Sequence, residues 1–353
     1  MKGTRTLSED VAPKVNYTIW AKRITWCFVW ILLLLNSCNA EQGETRKQYN
    51  VADARSDSMA VSFSPDNQTY AYITKDNQIQ LQDLSNNGIL QTFSYTNENP
   101  PLSLTFSSDS KQLAVSMKTE VQIWEIEKKQ LFKSFLVDDL YLYNAKTMTF
   151  SHDDSLLALN AGNNLRIWDI QTGEIVTNTE LEHYRFYAGH IIFSPGDNLI
   201  ALFNGYLHIW DLESEELVAL IPNGSDSFSF NTDGTELVSI KRNEVFRWRM
   251  PDGELIDKFT MEDRLPLLTV LPPNANEIVG FTFERSSSNE ENPQDQRFDF
   301  YISLWRVEDW EMIWRIPTND LEMDEFGYLV ASPTGDWVAM IGISNGFDIW
   351  QIK

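Results

Sequence analysis

The stretch Phe193-Ser194-Pro195-Gly196-Asp197 opens a unit that continues through Leu199-Ile200-Ala201-Leu202, the turn Asn204-Gly205, then His208-Ile209-Trp210-Asp211-Leu212, and closes with Leu217-Val218-Ala219-Leu220. Four short apolar runs are divided by three turn signals, the pattern of consecutive short strands. The unit recurs along the chain. A tryptophan followed by an acid ends the third run at Trp168-Asp169 and Trp210-Asp211, with looser copies at Trp124-Glu125, Trp248-Arg249, Trp305-Arg306 and Trp350-Gln351. Gln82-Asp83 holds the place in the first unit. A second marker is the turn after the first run. It reads Phe63-Ser64-Pro65-Asp66, Phe106-Ser107-Ser108-Asp109, Phe150-Ser151-His152-Asp153, Phe193-Ser194-Pro195-Gly196, Phe230-Asn231-Thr232-Asp233 and Ala331-Ser332-Pro333-Thr334, and decays to Leu271-Pro272-Pro273-Asn274 in the sixth unit. From Gln82 onward the third-run markers step by 42, 44, 42, 38, 57 and 45 residues. A period near forty suits one four-stranded sheet per unit, seven in all.

These phased double markers resemble the WD-repeat unit of β-propellers. The resemblance covers residues 58 to 352. It implies an all-β fold, a seven-bladed β-propeller of four-stranded antiparallel blades, with blades over residues 58–94, 101–136, 145–179, 187–221, 226–260, 265–317 and 326–352. The last unit ends on its third strand, Ile349-Trp350-Gln351-Ile352. An open ring would leave a bare sheet edge, so residues 47–52 are expected to supply the missing outer strand and close the circle. The Gly-His pair that often opens a WD repeat is nearly missing: Gly189-His190 lies only three residues before Phe193. The blades are therefore expected to be held mainly by apolar packing and not by that family's histidine-centred tetrad. The marker tryptophans are expected to pack between blades, where an aromatic of that size dominates local core energy. Acidic turns such as Asp153-Asp154 lack the alternating acid ladder of a calcium loop and read as β-turns.

Composition agrees with a large packed domain: 42% hydrophobic, 12% aromatic and 22% charged. Residues 1–37 read as a signal segment. Lys22-Arg23 flank an apolar run over residues 24–35, of signal-core length and too short for a comfortable membrane span. The following Leu35-Asn36-Ser37-Cys38 is similar to a bacterial lipobox, which implies cleavage before Cys38 and lipid attachment to it. The plainer reading is an ordinary secretory signal or an uncleaved anchor, with Cys38 incidental; the long stretch before Lys22 is unusual for either. Residues 38–46 read as a polar tether. The chain has two cysteines, Cys27 and Cys38, and the first would leave with the signal, so no internal disulfide is expected.

After removal of residues 1–37, 23 basic and 49 acidic groups remain, a net charge of −26 against −23 for the full chain. Such a field repels phosphate backbones and anionic bilayers, so nucleic acid is not an expected partner and membrane contact is expected only through a lipid on Cys38. The implied location is extracytoplasmic and membrane-anchored, or secreted if Cys38 is unmodified.

Catalytic signals are sparse. The four histidines, His152, His183, His190 and His208, share no metal-ligand spacing, and neither a nucleophile elbow nor a phosphate loop is present. No catalytic residue, metal or cofactor is therefore expected. The function implied is that of a monomeric ring binding another protein, with a channel-centred hydrolase or lactonase as the alternative. Two connections stand out as a partner patch: Tyr141 and Tyr143 enter the third blade, and Tyr184, Phe186 and Tyr187 enter the fourth, all among acids. Capping of those two blades is the plainer reading. Residues 284–298 have the composition of a disordered loop and read as a contact loop or a tolerated hairpin insertion.

Overall fold

A computed structural model describes residues 47–352 apart from 56–60, 96–98, 138–146, 162–163, 182–188, 223–226, 242, 261–265, 271–276, 286–297, 310, 319–325 and 343–345; for 266–270, 283–285, 298, 326–328 and 342 it describes the backbone only. The described chain is all strand and turn. It forms seven sheets of four antiparallel strands each. In six of them spatial order follows chain order, as in the fourth blade: Ile191–Phe193, Leu199–Phe203, Leu207–Asp211 and Glu216–Ile221. Inner strands of neighbouring blades lie against one another around the ring, and the first blade's inner strand meets the seventh's.

The seventh blade is composite. Phe326–Ala331, Trp337–Gly342 and Phe347–Gln351 come from the end of the chain, and Gln48–Val51 adds the outer strand. Its register is Gln48 opposite Trp350, Tyr49 opposite Ile349, Asn50 opposite Asp348 and Val51 opposite Phe347. This is the closure expected over residues 47–52. Gly346 makes it sterically feasible. Its φ is +84°, and a Cβ there would sit 2.0 Å from the carbonyl oxygen of Val51.

Continuous apolar second strands follow from burial on both faces. Residues 112–116, 156–160 and 199–203 are strands as the pattern predicts. The second strand of blade 6 runs further than expected, to Arg285, which pairs with Phe298. Glu284, Arg285 and Phe298 thus belong to the hairpin arms, not the loop. Their charged composition concealed the pairing that the alternation Phe298-Asp299-Phe300-Tyr301 permits.

The core is divided into seven apolar layers, one at each blade junction. Ile79, Leu81 and Phe93 of blade 1 meet Phe106, Leu113 and Val115 of blade 2. Val121, Ile123 and Phe135 of blade 2 meet Phe150, Leu157 and Trp168 of blade 3. The remaining junctions repeat this arrangement, and the ring returns to its start where Phe347 and Ile349 meet Tyr70 and Tyr72. Each sheet is therefore covered on both faces by its neighbours, and the ring has no terminal face left to cap.

Candidate functional site

The marker tryptophans serve these layers. Each packs on the preceding blade: Trp124 edge-on to Phe93 at 5.2 Å, Trp168 stacked on Phe135 at 5.2 Å, and Trp210, Trp248, Trp305 and Trp350 within the layers that follow. The periodicity predicts this packing role. Two of the indoles also donate hydrogen bonds. Trp248 Nε1 donates to the buried Ser239 hydroxyl at 2.9 Å. Trp124 Nε1 donates to Gln122 Oε1 at 3.1 Å. The acid of the marker has a separate task. Asp169 accepts from the N–H of Thr172 at 2.7 Å, and Asp211 from the N–H groups of Glu213 and Ser214 at 3.0 and 2.8 Å. These backbone donors, from Thr172 and Ser214 above all, hold both carboxyls below the usual range.

Blade 1, with Gln82 in the tryptophan's place, solves its junction differently. Tyr70 and Tyr72 fill the layer edge-on to Phe347 at 6.2 and 5.5 Å. Their buried rings carry hydroxyls that reach a polar set at the edge of the layer: Tyr72 bonds Asp53 at 3.0 Å and Gln80 at 2.8 Å, and Tyr70 bonds Gln82 and Asn87. Burial, with Asp53 adding to it, pushes both phenols far above their ordinary range. The segment after the closing strand completes a clasp. Arg55 N donates to Ile73 O, Lys75 N to Asp53 O, and Arg55 Nη1 reaches Pro101 O of blade 2 at 2.7 Å. Tyr49 stacks on Trp337 and bonds the Leu84 carbonyl at 3.1 Å. One short segment thereby ties blades 7, 1 and 2.

The inner-hairpin turns form a second set of ties. Their fourth residue sits at positive φ: Asn67, Ser110, Asp154, Asp197, Gly234 and Gly335. Where it bears a side chain, it reaches back to the previous blade's turn. Asp154 accepts from the N–H groups of Ser108 and Asp109 at 2.6 and 3.0 Å. Asp197 accepts from those of His152 and Asp153 at 2.9 and 3.1 Å. Ser110 Oγ accepts from Asp66 N, and Asn67 Nδ2 donates to Thr334 and Asp336 across the closure. Sequence reading marks these as turns but cannot say which neighbour a turn residue faces. Burial raises the Asp154 carboxyl despite its two donors.

The histidines are dispersed. His152 Nδ1 lies 2.8 Å from Asp197, His190 lies against Phe228, and His208 is buried in the third strand of blade 4. Among the described residues no group of three His, Cys, Asp or Glu is placed to hold a metal ion. Cys38, Tyr141, Tyr143, Tyr184, Phe186, Tyr187 and His183 lie outside the described residues.

The outer rim is the surface that sequence reading left unweighed. Among the described residues, every exposed large hydrophobic side chain lies on an outer strand, including Ile89, Leu131, Phe132, Ile175, Leu217, Leu255 and Ile313. In six blades the residue opposite the marker position is apolar and flanks a register shift: Ile89, Leu131, Ile175, Leu217, Leu255 and Met312. A groove of about 590 Å³ opens there between the outer strand of blade 1 and Trp124.

No protein-family model matches the chain, and no curated protein matches it either. The chain is a seven-bladed β-propeller. The propeller's conspicuous acids are engaged by backbone donors in its turns, and its exposed apolar side chains are gathered on its rim.

Proposed function

We propose that this propeller is a non-enzymatic, WD-repeat-type platform that binds another protein, held outside the cell membrane of a bacterium by lipid on Cys38. The observation that carries the binding role is the distribution of side chains. Asp154, Asp197 and Asp211 each accept two backbone N–H bonds in turns, and Asp169 accepts the N–H and the hydroxyl of Thr172, so these carboxylates act as turn caps and do not form a convergent reacting set. The apolar surface left exposed lies where a partner can reach it. The aromatic connections carrying Tyr141, Tyr143, Tyr184, Phe186 and Tyr187 are the proposed partner patch. The anchoring role is supported by the sequence over residues 22–38 and by an acidic body that gains nothing from an anionic bilayer.

The test is purification of the membrane-bound form from native cells after mild cross-linking, with mass spectrometry of the N-terminus and of the captured proteins. A diacylated or triacylated Cys38 and one stoichiometric partner, lost in Tyr141→Ala with Tyr184→Ala, are expected. A mature N-terminus elsewhere contradicts the anchor. Turnover of an ester or lactone library by the purified ring contradicts the platform.

A further inference from the structure

Beyond its first residue, each of six of the seven outer strands carries a polar, charged or proline residue. Blade 1 has Gln91 and Thr92, blade 2 Lys133, blade 3 Thr177 and Asn178, blade 5 Asp257 and Lys258, blade 6 Arg315 and Pro317, and blade 7 Asn50. These residues are the devices by which sheet edges avoid unwanted pairing. Blade 4 has none. After Glu216 its outer strand reads Leu217-Val218-Ala219-Leu220-Ile221, ending at Pro222. It pairs with Leu207–Asp211, and among the described residues no strand lies beyond it. Leu217 is 39% exposed, and Val218, Ala219 and Leu220 are half-buried. The blade 5 turn at Gly253 covers Ala219 and Ile221 from the side, since a Cβ on Gly253 would lie 2.7 Å from the Ala219 Cβ. That neighbour braces the strand while leaving its backbone edge open.

We infer that the outer strand of blade 4 is a strand-addition site for an extended apolar segment of another protein with basic residues at its C-terminal end. The edge supplies unpaired main-chain donors and acceptors, which give affinity in this mode of recognition, and alternate side chains give selectivity. The basic end follows from charge. Glu213, Glu215 and Glu216 are all exposed at the start of the strand. A segment adding antiparallel brings its C-terminal end beside them. The same acids, in a chain of net charge −23, disfavour a second copy of this chain as the occupant. The inference rests on the binding role proposed above and names one surface for it.

The test uses the full chain and fluorescent synthetic peptides of alternating valine and threonine, one ending in two lysines and one beginning with them. Anisotropy is expected to show the first binding more tightly. Leu217→Lys, which places a charge on this edge, is expected to weaken it roughly tenfold, while Ile175→Lys on blade 3 leaves it unchanged. The surface triple variant Glu213→Lys, Glu215→Lys, Glu216→Lys does not touch the strand's packing. It is expected to shift preference to a peptide ending in glutamates, with slowed amide exchange over residues 217–221 in every complex. Equal binding by wild type and Leu217→Lys, indifference to peptide polarity, no binding of either peptide, or a wild-type dimer in sedimentation that Leu217→Lys dissolves overturns the inference. A partner captured from native cells that still binds Leu217→Lys leaves the platform reading standing and removes only this surface.

Discussion

Asp197 of blade 4 accepts hydrogen bonds from the backbone N–H groups of both His152 and Asp153, which belong to the turn of blade 3. Asp154 does the same for the turn of blade 2. These carboxylates cap backbone donors much as a helix cap does, but between blades, so they add polar ties to the apolar layers that join the sheets. Gly234 and Gly335 occupy the equivalent position in blades 5 and 7 and have no side chain to reach with. Asp197→Gly keeps the positive φ and removes only the carboxylate. It is expected to destabilise by about 1 kcal/mol, since His152 and Asp153 are exposed and water can take the place of the carboxylate. Urea denaturation measures it; a loss below the error of the fit contradicts the tie.

Asp153 gives a pH signature. Hydrogen bonds from the Ser155 hydroxyl, the Ser151 hydroxyl and the Ser155 N–H hold its carboxyl below the ordinary range. A depressed carboxyl stabilises the fold above its unfolded value, about 3.9, and that contribution is lost as pH falls through the lower folded value. The stability gap between wild type and Asp153→Asn is therefore expected to be constant from neutral pH to about 5 and to close below about 4. A gap that widens on acidification contradicts the assignment.

The tryptophans differ in what they contribute. Trp168 is 2% exposed and stacks on Phe135, so Trp168→Ala is expected to cost about 3–5 kcal/mol. Trp248→Phe keeps most of the ring but strands the buried Ser239 hydroxyl, at about 1–2 kcal/mol. The double variant Trp248→Phe with Ser239→Ala is expected to recover part of that loss. Thermal melting of the three proteins checks the order.

Blade 1 is held by a different chemistry. Tyr72→Phe removes a hydroxyl that bonds Asp53, Gln80 and Gln82. Asp53 is exposed and Gln80 half-buried, so water can replace part of what is lost, but the buried Gln82 is left short of a partner; a cost of about 1 kcal/mol is expected, with faster amide exchange in both the Gln48–Val51 strand and blade 1. Exchange confined to blade 1 contradicts the clasp.

The legible part of this protein is what repeats. Phased Trp and Phe-Ser-Pro-Asp markers fix the number of blades, and the exposed edge left by a three-stranded last unit points to the closing segment. What was not legible depends on one blade's departure from the pattern. Gln82 announces that a tryptophan is missing, but not that Tyr70, Tyr72 and Asp53 take over. Ser239 carries no mark of its bond to Trp248, because spacing along a strand does not report diagonal contacts between strands. The bare edge of blade 4 becomes visible only once the topology shows that residues 216–221 are outermost. The aromatic patch at Tyr141 and Tyr184 and the lipid site at Cys38 stay as sequence expectations, since they lie outside the described residues.

The sealed ring is tested most directly by cross-linking its seam. With Cys27 and Cys38 replaced by serine, Asn50→Cys paired with Asp348→Cys places two thiols on directly opposed residues whose side chains now share a hydrogen bond at 2.9 Å. Mild oxidation is expected to join them completely, and Asn50→Cys with Ile349→Cys, shifted by one residue and facing the other side of the sheet, is expected to stay reduced. Failure of the first pair, or equal reaction of the second, contradicts closure by residues 48–51.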